Sequence, residues 1–150
     1  MSLKNNQIPK YPNTIDNTVG ALVAASAGDL ASEANAVTLK TAGSNGTHIK
    51  SLIISTNETS DRNYYIFIVS LDGTVVLPLG IVNVPLGSGS TESIQAVDAL
   101  AQLPGLSEDN QGKPYIKLKA DYILKASCLT SMTAAKNTYF SVIANDFEAD

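Results

Sequence analysis

A chain of 150 residues with 44% hydrophobic and 16% charged side chains is the size of one domain, and such a domain buries roughly 70% of its extended surface without disulfide staples. Its net charge of −4, with Arg62 as the one arginine, excludes a phosphate-binding surface, which needs clustered cations to release counterions; no nucleic-acid partner is expected. A single cysteine excludes a disulfide framework, and no run approaches the roughly 20 apolar residues of a membrane helix, so no membrane contact is expected either.

Residues 1–18, MSLKNNQIPKYPNTIDNT, are rich in Asn and Gln, hold two prolines and have few apolar side chains. They predict an extended N-terminal arm, with residues 19–150 as the folded domain. The arm has no apolar core of the kind that directs secretion, so synthesis and folding in a cytoplasm are expected. The stretch VGALVAAS (19–26) fits a strand or a short helix, the Gly28-Asp29 pair that follows predicts a turn, and helix stays open for the Ala-rich stretch 21–36.

From residue 36 the strand signals are regular. AVTLKT is followed by the turn AGSNG, and THIKSLIISTN is a β-branched run ended by the polar NETSD. RNYYIFIVS is apolar on both faces over 64–69, as in a strand buried inside the fold. Asp72-Gly73 marks a hairpin turn, after which TVVLPLGIVNVPL is interrupted at Pro78; Pro78 and Pro85 remove backbone donors and predict an edge strand or a bulge.

GSGST (87–91) reads as a flexible loop; it lacks the Lys and the following helix of a phosphate cradle. One helical turn is predicted over 97–102, ended by Pro104. SEDNQGKP is a polar turn, YIKLKADYILKASCL divides into two strands at Ala120-Asp121, and NTYFSVIANDF closes the chain. Eight or nine short strands with one helical turn predict an all-β, antiparallel β-sandwich of jelly-roll type.

Catalytic chemistry finds little purchase. His48, the one histidine, leaves a turn and enters a strand, where a polar tip facing water is ordinary, and no G-x-S-x-G elbow accompanies it. A metal site of the cupin kind gathers two or three histidines with a carboxylate, more than one His and one Cys supply. Cys128 alternates with Leu124 and Ala126 and reads as a small buried hydrophobe.

Glu108 and Asp109 fall in a turn, Asp146, Glu148 and Asp150 in a charged tail, and Lys113, Lys117 and Lys119 on a solvated strand face. No enzymatic activity, cofactor or metal is expected. Aromatic side chains for a glycan-binding surface reduce to Tyr11, Tyr115 and Tyr139, since Tyr65, Phe67, Tyr122 and Phe140 fall at core positions.

The succession TLKTAGSNGTHIKSLIISTNE, YYIFIVSLDG, LGIVNVPLGSG, LPGLSEDNQGKPYIKLKADYILKAS and FSVIANDF resembles a group of small tailed-bacteriophage virion proteins. In that group an A-G-x-N-G turn precedes a strand, a V-P-x-G-x-G loop follows another, and L-P-x-L-x-x-D-x-x-G-x-P-Y leads into a Y-x-L strand. The resemblance covers residues 19–147. Gly43, Asn45, Gly46, Pro85, Gly87, Gly89, Leu103, Pro104, Asp109, Gly112, Pro114 and Tyr115 carry it, as turn and packing positions.

It implies a jelly-roll sandwich on the capsid exterior of a virion, made in the host cytoplasm. Such a protein binds the major capsid protein, decorates or cements the shell by bridging neighbouring subunits, and associates as a dimer or trimer. The arm is then the anchor and the sandwich the clamp. About 18 extended residues span up to roughly 60 Å, with Lys4, Ile8, Tyr11 and Ile15 as its contact residues and Tyr115 on the sandwich. The competing function is a receptor or glycan-binding module of a phage fibre or tail, which uses loop ends and Tyr115.

Overall fold

The structure is a computed structural model that describes residues 12–23 by their backbone, Ala27, and residues 35–147 in full. Ten strand segments lie among these residues: β1 (Pro12–Val23), β2 (Val37–Thr41), β3 (Thr47–Thr56), β4 (Arg62–Ser70), β5 (Val76–Val84), β6 (Val97–Asp98), β7 (Ser107–Glu108), β8 (Pro114–Leu118), β9 (Tyr122–Cys128) and β10 (Asn137–Phe147). All but β6 and β7 have five residues or more.

The larger sheet has the order β1-β10-β3-β8-β7, with β6 also on β3, and the smaller has the order β2-β9-β4-β5. The pairs β1–β10, β2–β9, β3–β8 and β4–β5 join strands inward from the two chain ends, like one long hairpin. The pairings β10–β3 and β9–β4 roll that hairpin into two sheets. All are antiparallel, and the order is that of a jelly roll.

Alternation decides which side chains meet between the sheets. From the larger sheet come Ile49, Leu52 and Ile54 of β3, Phe140, Val142 and Ala144 of β10, and Ile116 and Leu118 of β8. Opposite them lie Tyr64, Ile66 and Ile68 of β4, Leu124, Ala126 and Cys128 of β9, and Val82 and Val84 of β5. Each fully buried branched side chain contributes about 1.5–3 kcal/mol of transfer free energy. Burial pushes the Cys128 thiol pKa up, in keeping with a small core hydrophobe. β4 is buried on both faces, since Phe67 and Val69 point away from this core and are still only 0% and 1% exposed.

One polar group is threaded through the core. Tyr64 Oη shares a hydrogen bond with Thr138 Oγ1, which meets Thr56 Oγ1 at 2.8 Å; burial pushes the tyrosine pKa up to about 12. The Tyr64 ring stands edge-on to Phe140 at 5.6 Å.

Several expectations move. Residues 12–18, placed in the arm from their polarity, belong to β1, which pairs with β10 from Pro12↔Phe147 to Val23↔Asn137; the pairing, not local apolar content, makes them a strand. Residues 24–26 and 28–34, where helix was left open, lie outside the described residues. Pro78 is both at an edge and beside a bulge, since β5 ends the smaller sheet and its register with β4 shifts there.

The helical turn begins two residues later than expected. Val97–Asp98 pair with β3 instead, Leu103 N–H reaches Ala99 O at 3.2 Å, and Asp98 accepts from Leu100 N–H. The GSGST segment, expected to be flexible, is packed: Ser90 Oγ donates to Thr56 O at 2.8 Å, and a Cβ at Gly89 would stand 2.8 Å from Ser55 Cβ.

Candidate interaction surface

The turn into β3 rests on a glycine whose conformation and close packing disfavour any side chain. Gly46 has φ +92°, and a Cβ there would lie 2.9 Å from the Leu118 carbonyl oxygen. Gly46 N–H closes the turn on Gly43 O at 3.0 Å, and Asn45 Nδ2 donates to Phe147 O at 3.2 Å. Behind the turn Thr47 Oγ1 accepts from Gly43 N–H and donates to Asp146, which also pairs with Lys40 Nζ at 3.1 Å. Asp146 is therefore part of β10 and of this lock, not of a charged tail; Glu148 and Asp150 lie outside the described residues.

The other predicted turn residues do the same work elsewhere. Asp72 Oδ1 accepts from Ser70 Oγ and from the N–H and hydroxyl of Thr74, which hold its pKa down to about 2, while Gly73 takes φ +72°. Asp109 accepts from the Gln111 and Lys113 N–H groups, and with Gly112 at φ +74° it leads the chain into Pro114, the first residue of β8. Gly87 and Gly89 also take positive φ.

With the turn locked, the register sets a row across the larger sheet: Ile15↔Asn145, Asn145↔His48 and His48↔Lys117. His48 is half-buried, with its ring 4.5 Å from Phe147, edge-on, and 4.7 Å from Tyr115, tilted. Lys50 Nζ lies 5.1 Å from the Tyr115 ring centroid, within cation–π range. A bulge in the β3–β10 register, where Ser51 and Ile49 face consecutive β10 residues, places Lys50 beside Ser51 on the outer side.

Burial lowers the His48 pKa first, and the positive charges of Lys50 and Lys117 lower it further. A triad histidine is oriented by a carboxylate; here the charges that act on the imidazole are cationic. Among the described residues no group of three or more His, Cys, Asp or Glu comes together, and no helix is long and apolar enough to cross a membrane.

Along the same outer face, away from His48, stand Ile53, half-buried, and Ile143 and Tyr139, exposed at 40% and 44%. The sheet thus gathers Ile15, at backbone level, and Tyr115 at one end of one surface, while Lys4, Ile8 and Tyr11 lie outside the described residues. Sequence reading missed the centre of that surface. His48 is not a tip in water but the middle of three rings, and Phe147, Lys50 and Ile143 join it; the alternation Tyr139, Ser141, Ile143 was the available signal.

A second charged group was read as an ordinary turn. Glu58, buried, accepts from Thr133 N–H at 2.8 Å and from Arg62 Nη2 at 3.2 Å, while Arg62 also donates to Thr130 and Thr133. Burial pushes the Glu58 pKa up, but the hydrogen bonds from Thr133 and Arg62 and the guanidinium charge outweigh it and hold the pKa below its ordinary value.

No protein-family model, no curated protein and no solved structure matches the chain.

Proposed function

We propose that the chain is a non-enzymatic structural protein of a tailed-phage particle, seated on the capsid exterior, where it bridges neighbouring shell subunits and so decorates or cements the shell. The observation that carries this reading is the outer face of the larger sheet. An aromatic and basic end around His48 continues into Ile53, Ile143 and Tyr139, which face outward on a sheet whose core lies on its other side. The motifs shared with small phage virion proteins add to it.

Side chains held on hydrogen-bonded strands lose little freedom on docking, so more of the contact energy remains as affinity. A block seated across a subunit junction adds buried area there, and the bound state of the shell is stabilised by mass action. Copies meeting around a symmetry axis present this face repeatedly.

A glycan-binding module needs aromatic faces free to stack on sugars. The Tyr115 ring is engaged by His48 and by the Lys50 ammonium, which favours docking of protein over sugar. The test is density-gradient fractionation of infected-cell lysate, probed for this chain. It is expected to co-migrate with full, DNA-containing particles; recovery only as a small species at the top of the gradient would overturn the reading.

A further inference from the structure

The charge around His48 is open. The ion pairs among the described residues are Lys40–Asp146 and Arg62–Glu58; Lys50, Lys117 and Lys119 are exposed and make none. Of the described carboxylates on the adjoining elements, Asp109 accepts from the Gln111 and Lys113 N–H groups and feels the Lys50 charge, Asp146 is held by Lys40 and Thr47, and Glu108 lies exposed on β7. On a chain of net charge −4 this is a local concentration of positive charge that no ion pair among the described residues neutralises.

It also has a shape. A cavity of about 260 Å³ opens beside the Phe147 and His48 rings, with Lys117 and Lys119 on its rim. That volume suits a carboxylate-bearing side chain. The apolar strip of Ile143 and Ile53 continues from this end of the sheet along the same face.

We propose that this end of the larger sheet is a docking surface for an extended acidic segment of a partner protein, with one carboxylate in the cavity between Phe147 and the Lys117 and Lys119 ammoniums, and apolar side chains along Ile143 and Ile53. The proposal deepens the virion reading, on which it rests, by giving the chemistry of the neighbour. An extended chain turns residues i, i+2 and i+4 to one face, so an acidic residue followed two and four positions later by apolar ones offers both to this surface. The attraction is between the two lysine ammoniums and an anion that the Phe147 ring partly shields from water.

His48 is the one histidine, so its imidazole proton resonances report the site without assignment ambiguity. The probe is a blocked pentapeptide, Glu-Ser-Val-Ser-Val, which turns one carboxylate and two apolar side chains to the same face, titrated into the full chain while the His48 pKa is followed by NMR. Saturable binding with a rise in that pKa is expected, because the peptide carboxylate offsets the lysine charges. A Lys117→Gln/Lys119→Gln double variant, at exposed positions and with unchanged Tm, is expected to bind about tenfold more weakly, and Ile143→Ser to weaken binding less.

No saturable shift, or the same affinity in the double variant, would overturn the proposal. So would tighter binding of glucuronate, which carries the same charge on a sugar. The two readings fail separately. Co-migration with particles beside an unaffected double variant removes the docking surface alone, whereas peptide binding by a chain found only at the top of the gradient removes the virion reading and leaves the acidic-segment site.

Discussion

Two charged clusters stand in this sandwich, and they are built in opposite ways. Around Glu58 the charges are closed: the carboxylate is buried, Arg62 supplies its counter-charge, and Thr130 and Thr133 take up further donors. Around His48 they are open: the lysines crowd an imidazole and two other rings, and among the described residues none of them forms an ion pair, Asp109 acting on Lys50 only at longer range. A closed pair ties the 57–62 turn to the loop after β9 and serves the fold. An open cluster is maintained at some electrostatic cost, which docking of the proposed acidic segment would offset.

The largest effect is expected where the closed cluster is broken. Glu58→Ala leaves Arg62 largely buried without its counter-charge, an expected loss of about 3 kcal/mol, and a fall in Tm of roughly 10 °C for a domain of this size, read by thermal denaturation. A loss near zero would mean that the pair behaves as a surface pair and that the contrast is wrong. Because the folded pKa of Glu58 lies below its ordinary 4.5, its contribution is present above pH 4.5 and is lost as the pH falls through the folded value. Glu58→Gln is expected to flatten that part of the acid unfolding curve.

The turn that positions the open cluster comes next. Gly46→Ala forces a side chain to φ +92° with its Cβ 2.9 Å from the Leu118 carbonyl, an expected loss of about 2–3 kcal/mol in urea unfolding. Gly112→Ala, at φ +74° with nothing within 4 Å, carries only the left-handed backbone cost of about 1 kcal/mol. Equal losses would show that the close approach at Gly46 relaxes freely.

The smallest effect on stability is the most informative about the open cluster. Lys50→Gln and Lys117→Gln are each expected to raise the His48 pKa toward 6.5 in an NMR titration, with stability at neutral pH changed by less than about 0.5 kcal/mol. Since the folded pKa is lowered, acidification through that region protonates the unfolded chain first and destabilises the fold, and both variants reduce that sensitivity. No change in pKa would mean that solvent screens the lysines and that the site carries no net positive field.

Much of the fold was legible because strand alternation is local. The inward set Leu124, Ala126 and Cys128, the doubly buried 64–69 run, the break at Ala120-Asp121 and the edge position of Pro78 follow from neighbouring residues. Residues 12–18 were not legible as a strand: Asn, Thr and Asp dominate them, and only β10 supplies the partner. Glu58 reads as a turn residue and Arg62 as the start of a strand, and their pairing was not legible for the same reason, since Thr133 lies 75 positions from Glu58.

The sequence by itself determined most of the strands, which face of each is apolar and where the chain turns, because propensity, alternation and glycine conformational freedom act over a few residues. Only the tertiary structure decided what those faces meet. His48 stands beside Lys117, Tyr115 and Phe147 because antiparallel register brings β3, β8 and β10 together, and the bulge at Lys50 turns one more charge outward. Register belongs to the sheet as a whole, and a site assembled across three strands exists only once they pair.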